Sequence, residues 1–380
     1  MKIGLVGKPS SGKSTFFRAA TLLDAKIGNF PFTTIQPNIG FGYARVECVE
    51  KFFNVKCNPR QGYCIDGNRF VPVELIDVAG IVPGAHEGRG MGNKFLDDLR
   101  QADCLIHVVD ASGTTDGEGR ECIEHNPMED IEFLEYEINH WFLSILNRNW
   151  KKVTGVKELA KQFSGLSVSV SDIQNLLKTL ELTEKVNNWN DEDKEKFIKS
   201  LREKGLPIIV AANKIDKEEA EKYLPELVKH GAILCSAEAE LALKEAAKHN
   251  LIKYIPGDKD FEIIGEVTDN QRIGLERIRT LLKKFEITGV QKVINGAVFD
   301  ILKYIVVFPG GVKKLSDKDG NVLPDVFLMP RDSTALDFAY KIHEDFGKKF
   351  ITAIDVKTKQ RIGKEHKLKT GDVIELVAGR

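Results

Sequence analysis

Short apolar runs recur along the first two thirds of the chain, and each gives way within two residues to glycine or a polar or charged residue. Residues 3–6 form the first, running straight into a glycine-rich turn, after which helical spacing begins at Phe16. Residues 71–78 form the second, broken at Ala79-Gly80, and 104–109, 206–212 and 232–235 follow. Apolar runs this short, alternating with helical patterns, predict βα units and a mostly parallel, doubly wound sheet covered on both faces. The alternation lapses over 114–205, a polar, helix-favouring stretch. Leu159, Phe163, Leu166, Ile173, Leu176, Leu177 and Leu180 recur there at roughly helical intervals. Two readings fit that stretch: an inserted helical arm or hairpin open to a partner, or an ordinary set of surface helices.

From Lys303 the pattern changes. Strands are expected over 304–308, before Pro309-Gly310-Gly311, and over 326–329, 351–356 and 372–377, with one helix over 333–346. That is a compact α+β module, so the division expected is 1–302, containing the 114–205 helical insertion, and a C-terminal domain over 303–380. A chain of 380 residues suits two or three such units.

Composition narrows the partners. Lysine plus arginine (55) balances aspartate plus glutamate (56) for a net charge of -1, so nucleic-acid binding must rest on a local patch, and no DNA partner is expected. Cys48, Cys57, Cys64, Cys104, Cys122 and Cys235 are scattered without a CxxC pair, which predicts reduced thiols, neither a zinc site nor a disulfide frame. The apolar run at the N-terminus is too short for a signal peptide. No later run approaches the roughly 20 apolar residues of a membrane span. A cytoplasmic monomer is expected.

Gly7-Lys8-Pro9-Ser10-Ser11-Gly12-Lys13-Ser14-Thr15 fits the phosphate-binding pattern G-x-x-x-x-G-K-[ST]. Glycines let the loop wrap a phosphate with its N–H groups pointing inward, at the positive end of the following helix. Lys13 offers a charge to the β- and γ-phosphates, and Ser14 a hydroxyl ligand to Mg²⁺. Asp77-Val78-Ala79-Gly80 ends the next strand. Asp77 can hold the metal through water, and the Gly80 N–H can approach the γ-phosphate. Between the two lies Phe30-Pro31-Phe32-Thr33-Thr34, where a threonine can complete the Mg²⁺ shell when a γ-phosphate is present. Spacing alone leaves the choice between Thr33 and Thr34 open, and a pair of strand-edge threonines is the bland alternative.

Asn213-Lys214-Ile215-Asp216 follows the strand ending at Ala212. A carboxylate such as Asp216 can accept from guanine N1–H and its N2 amine, whereas adenine would leave it unpaired. The Lys214 stem can pack on the ring, and Asn213 can tie this loop to the phosphate loop. Ser236-Ala237 follows the next strand, where a backbone N–H would meet guanine O6. The motifs therefore point to GTP and GDP as ligands.

In these segments the chain resembles the Obg family of translation-factor-class GTPases, specifically its YchF branch, over essentially its whole length. Residues 7–15, 29–38 and 77–94 look like its P-loop and two switches, and by that likeness Thr34 is the magnesium-sensing threonine. The helical insertion is similar to the YchF arm. The region from Val307-Phe308-Pro309-Gly310-Gly311 through 335–343 to Gly371-Asp372-Val373-Ile374 looks like a TGS domain of β-grasp fold. The resemblance implies a Mg²⁺-dependent nucleoside-triphosphate hydrolase and ribosome association. Many YchF proteins carry glutamate where Asp216 stands and prefer ATP, which keeps an ATPase of the same family as the alternative. Ile81 replaces the water-orienting glutamine of Ras-like enzymes, so intrinsic turnover is expected to be slow, and His86 is the nearest candidate to position water. Its bland alternative is an exposed loop histidine. Ser10 stands where potassium-stimulated relatives have asparagine, which leaves potassium dependence open.

Lys357, Lys359, Arg361, Lys364, Lys367 and Lys369 make the local basic patch in the C-terminal module, with Glu365 the acid among them. RNA phosphates suit it, and a lysine-guarded strand edge is the competing explanation. Two other functions fit the sequence less well. A small-molecule kinase would need an arginine-rich lid, which the sequence lacks. An RNA-binding module with a merely structural nucleotide site would not keep Lys13, Ser14, Asp77 and Asp216 together.

Overall fold

The computed structural model describes residues 1–22, 39–78, 99, 101–148, 150–166 and 168–379. Thr33, Thr34, Gly80, Ile81 and His86 lie outside the described residues, as do the whole of 29–38 and 79–94.

Strands β1 (Lys2–Val6), β2 (Ile39–Glu47), β3 (Tyr63–Ile65), β4 (Asn68–Asp77), β5 (Cys104–Asp110), β6 (Ile208–Asn213) and β7 (Ile233–Leu234) build a seven-stranded sheet. Its order is β2-β4-β1-β5-β6-β7, with β3 also on β4. From β4 to β7 all neighbours are parallel, whereas β2 and β3 run antiparallel to β4. Apolar runs alone do not predict β2 and β3. The sequence of β2, IGFGYARVE, mixes glycine and polar residues, as an edge strand allows. By contrast β5 is buried along all seven residues, as a central parallel strand must be.

Two layers cover the sheet. Helices Lys13–Thr21 and Val290–Asn295, with the π-turn Gly296–Ile301, share a core with Ile3, Leu5, Ile106 and Val108. On the other face, helices Pro127–Arg148, Val156–Gln162, Val170–Thr179 and Asp191–Gly205 form one continuous core with Val6, Ile76 and Leu105. Trp141, Phe142, Phe163, Ile173 and Phe197 run through that core. The insertion is helical, and these side chains share one apolar cluster with residues of the sheet. Ser169 and Asn190 start two of these helices by capping boxes.

After a small hairpin, β8 (Ile252–Lys253) with β9 (Glu262–Ile263), the chain builds a second sheet. Its strands are β10 (Tyr304–Pro309), β11 (Phe327–Pro330), β12 (Phe350–Asp355), β13 (Arg361–Ile362) and β14 (Asp372–Ala378), in the order β11-β10-β14-β12-β13. The single helix expected over 333–346 is two, Ala335–Ile342 and Glu344–Lys348. His343 is extended between them and its Nδ1 accepts from the Asp345 N–H at 3.1 Å. The two sheets meet through one apolar cluster in which Cys48, Val49, Cys57 and Val71 pack on Val306, Phe308, Leu323 and Val373. Among the described residues no helix is long and apolar enough to cross a membrane.

Candidate functional site

Because β1, β4, β5 and β6 are parallel, their C-terminal ends share one edge, the usual place for a site in an open α/β sheet. Leu5 is in register with Asp77, and Asp110 with Asn213. Gly7, Asp77, Asp110 and Asn213 are thereby brought together from four strands.

The turn from β1 into helix Lys13–Thr21 has its expected shape. Ser10 takes φ 61° and Gly12 φ 89°, and a Cβ at Gly12 would sit 2.2 Å from Asn213 Nδ2. No other residue fits that approach. Gly12 caps the helix without a side-chain bond, so the first-turn N–H groups stay available to an anion. Lys13 Nζ forms an ion pair with Asp77. Ser14 is exposed and Thr15 half-buried in the same turn. Ser11 Oγ is buried with no partner among the described residues.

Asn213 clasps both halves of the site. Its Nδ2 donates to Ser11 O at 3.1 Å, and its Oδ1 accepts from the Ala237 N–H at 2.9 Å. Asp216 is exposed, and its Oδ1 accepts from Ser236 Oγ at 2.6 Å, which fixes the carboxylate's rotation. Ser236 Oγ also caps helix Ala237–Lys248 by accepting from Ala239 N–H. Lys214 is held at φ 69°, with Nζ 2.7 Å from Asp110 Oδ2.

Sequence reasoning missed the roles of Asp110, Lys8 and Asp130. Asp110, fully buried, also accepts from Ser112 Oγ at 2.5 Å and Thr115 Oγ1 at 2.8 Å. Burial raises its pKa, but the bonds from Lys214, Ser112 and Thr115 outweigh this and hold it below the ordinary range. Lys8, inside the phosphate loop, is buried against Asp130 Oδ2 at 2.8 Å and donates to Thr115 O at 2.6 Å. Asp130 also meets His125 Nε2 at 2.8 Å. The Lys8–Asp130 pair ties the loop to the helical layer. A charge closing an apolar run is the signal that singled out Asp77, and the same signal was available for Asp110.

The basic run is exposed except for half-buried Lys357. Arg361 lies on β13, the sheet's edge strand, while Lys367 pairs with Asp332 and Lys357 sits 5.2 Å over the Phe52 ring. The cysteines are scattered along the sequence, but Cys48, Cys57 and Cys64 meet, with Glu50, in one cluster. The chain turns β3 back onto β4, which brings Cys64 to Glu50, and no CxxC spacing would reveal it.

The family model described as 50S ribosome-binding GTPase matches residues 2–148, and the one described as Obg-like GTPase YGR210-like, G4 motif-containing domain, matches 211–311. The TGS domain model matches 309–378. The chain is 51% identical over 391 residues to an uncharacterized GTP-binding protein of Methanocaldococcus jannaschii, covering 99% of this chain and 98% of that one. It is 28% identical over 406 residues to the ribosome-binding ATPase YchF of Buchnera aphidicola subsp. Schizaphis graminum, with 99% and 98% covered. A crystal structure of a GTP-binding protein from Pyrococcus horikoshii OT3 superposes with a TM-score of 0.79 at 37% identity, covering 100% of both chains.

Proposed function

The chain belongs to the Obg-like, YchF-related family of P-loop GTPases with a C-terminal TGS domain, and from that premise we propose that it is a slow, Mg²⁺-dependent GTPase. In this reading it is a cytoplasmic monomer whose nucleotide state is read by the ribosome or by RNA. The names of its relatives, a 50S ribosome-binding GTPase model and a ribosome-binding ATPase, motivate that partner.

The observation that carries the GTP reading is the Asn213 clasp together with the Asp216–Ser236 bond. It holds a carboxylate, oriented but still able to accept, at the rim of the phosphate loop. Adenine offers that carboxylate no N1–H or N2 amine, and an unmade hydrogen bond at a site shielded by the bound base is costly. Lys13 would bind the β- and γ-phosphates, and Gly7, Ser10, Ser11, Gly12 and Thr15 would line the phosphate cradle. The Lys214 stem would pack on the base, and the amides of the Ser236-Ala237 segment would face O6.

The residues fit Mg²⁺. The donors near the helix start are the Ser14 hydroxyl and the Asp77 carboxylate, hard oxygens that suit this ion. Asp77 would act through water, and Thr34 would join them when a γ-phosphate is present. The ion would supply charge neutralisation on the phosphates. Gly80 and His86 are proposed as the γ-phosphate contact and the water-positioning group.

Calorimetry with Mg²⁺ tests the reading by comparing GTP and ATP on the wild type and Asp216→Ala. We expect a GTP preference that falls by roughly tenfold or more in the variant, the cost of leaving guanine donors unpaired. Equal or tighter ATP binding by the wild type would make it an ATPase of the same family.

A further inference from the structure

We infer that Cys48, Cys57, Cys64 and Glu50 form a binding site for one zinc-class divalent cation. Each offers one ligand atom, and the four atoms lie within 4.8 Å of one another. Two of the separations can be compared with a tetrahedral site. Zinc bonds of about 2.3 Å to sulfur and 2.0 Å to oxygen place neighbouring sulfurs about 3.8 Å apart, and a sulfur and an oxygen about 3.5 Å apart. Cys48 Sγ and Cys57 Sγ are 3.7 Å apart, and Cys64 Sγ and Glu50 Oε1 are 3.5 Å apart. Thiolates favour a soft or borderline ion over Mg²⁺ or Ca²⁺. A polynuclear iron–sulfur cluster would need the cysteine sulfurs on different irons farther apart than the 4.8 Å that spans this group.

The surroundings are those of a built site. Cys48 and Cys57 are buried and Cys64 is half-buried. Glu50 Oε2 accepts from the Cys57 N–H at 2.8 Å, which orients the carboxylate as an outer-sphere bond should. Arg69 is fully buried. Its guanidinium reaches Cys57 Sγ at 3.7 Å and the carbonyls of Leu323 and Pro324 at 3.1 and 2.9 Å, while Nε has no partner among the described residues. A buried guanidinium needs an anion. Three thiolates and a carboxylate around one dication leave a doubly anionic site, and Arg69 offsets one of those charges. Binding would release the three thiol protons to solvent.

The site also has a structural consequence. It fastens the end of β2, the 54–62 loop and β3, and that loop docks on the connection between β10 and β11 through Asn58 N–H to Val322 O (2.8 Å) and Arg60 N–H to Pro324 O (3.0 Å). The ion would therefore brace the junction between the two modules.

To test this, the full chain is purified in reductant without chelator, and its metal is counted by plasma mass spectrometry. It is then stripped and titrated with Co²⁺. We expect about one zinc per chain and the intense visible bands and sulfur-to-cobalt charge transfer of tetrahedral thiolate coordination. Cys57→Ser should lose most of both signals and Cys122→Ser should keep them. If Cys57→Ser fails to fold, the wild-type cobalt spectrum decides alone. A wild type with neither zinc nor a tetrahedral cobalt spectrum would overturn the inference. So would a Cys48–Cys57 disulfide in the reduced preparation, or iron recovered with acid-labile sulfide.

Discussion

At the scale of single residues, the site depends on side chains held by one another. Lys214 would otherwise sample many rotamers. Its pairing with Asp110, itself gripped by Ser112 and Thr115, confines it beside the base loop. Preorganisation of this kind lowers the ordering cost of binding. Water positioning has no comparable group among the motif residues, since Ile81 offers no hydrogen bond. His86 is therefore proposed for that role. His86→Ala should bind GTP as the wild type does but turn it over about a hundredfold more slowly, the lower range for a positioned acid–base group. Single-turnover phosphate release reads this directly, and an unchanged rate would exclude His86.

At the scale of elements, β5 carries a buried titratable residue. His107 lies mid-strand and buried, and burial, with the nearby Lys8 charge, pushes its pKa down to about 3 from 6.5. The folded state thus holds this imidazole neutral, while the unfolded chain protonates it near its ordinary value. The resulting stability is complete above about pH 6.5 and falls, by up to about 1.4 kcal/mol per pH unit, as pH drops from there toward 3. Denaturant midpoints at pH 7 and pH 5.5 should therefore differ in the wild type, and His107→Gln should flatten the difference. An equal pH slope in both proteins would assign the effect to other groups, because most carboxylates titrate lower.

At the scale of the whole molecule, the nucleotide edge belongs to the first sheet and the basic face to the second, joined by a shared apolar cluster and the bonds from Arg69. The basic run is not uniform. Lys367 is paired and Lys357 is seated on an aromatic ring, so Lys359, Arg361, Lys364 and Lys369 are the residues we propose for contact with RNA phosphates. If RNA binds there, replacing Arg361, Lys364 and Lys369 by glutamate should weaken binding. It should also make the log–log salt dependence shallower by about 0.7 for each phosphate of single-stranded RNA that the variant no longer neutralises. Filter binding across a salt series measures both. An unchanged slope would leave the run as a guard on the exposed β13 edge.

Much of this was legible in the chain itself. The phosphate loop, Asp77 and the Asn213–Asp216 motif could be read because each is a short local pattern whose chemistry dictates its spacing, and buried parallel strands leave apolar runs. The sequence also marked the change of character near Lys303. Other features depended on packing between distant segments. Strand β2 escaped because an edge strand need not be apolar, and two helices replaced one because His343 takes an extended conformation. How residues 114–205 pack depends on Trp141, Phe142 and Phe163 sharing one apolar cluster with Val6, Ile76 and Leu105. The cysteine cluster depends on β3 pairing back onto β4, which places Cys64 beside residues fourteen and more positions away. Proximity of that kind comes from closing loops in three dimensions, and no one-dimensional spacing rule encodes it.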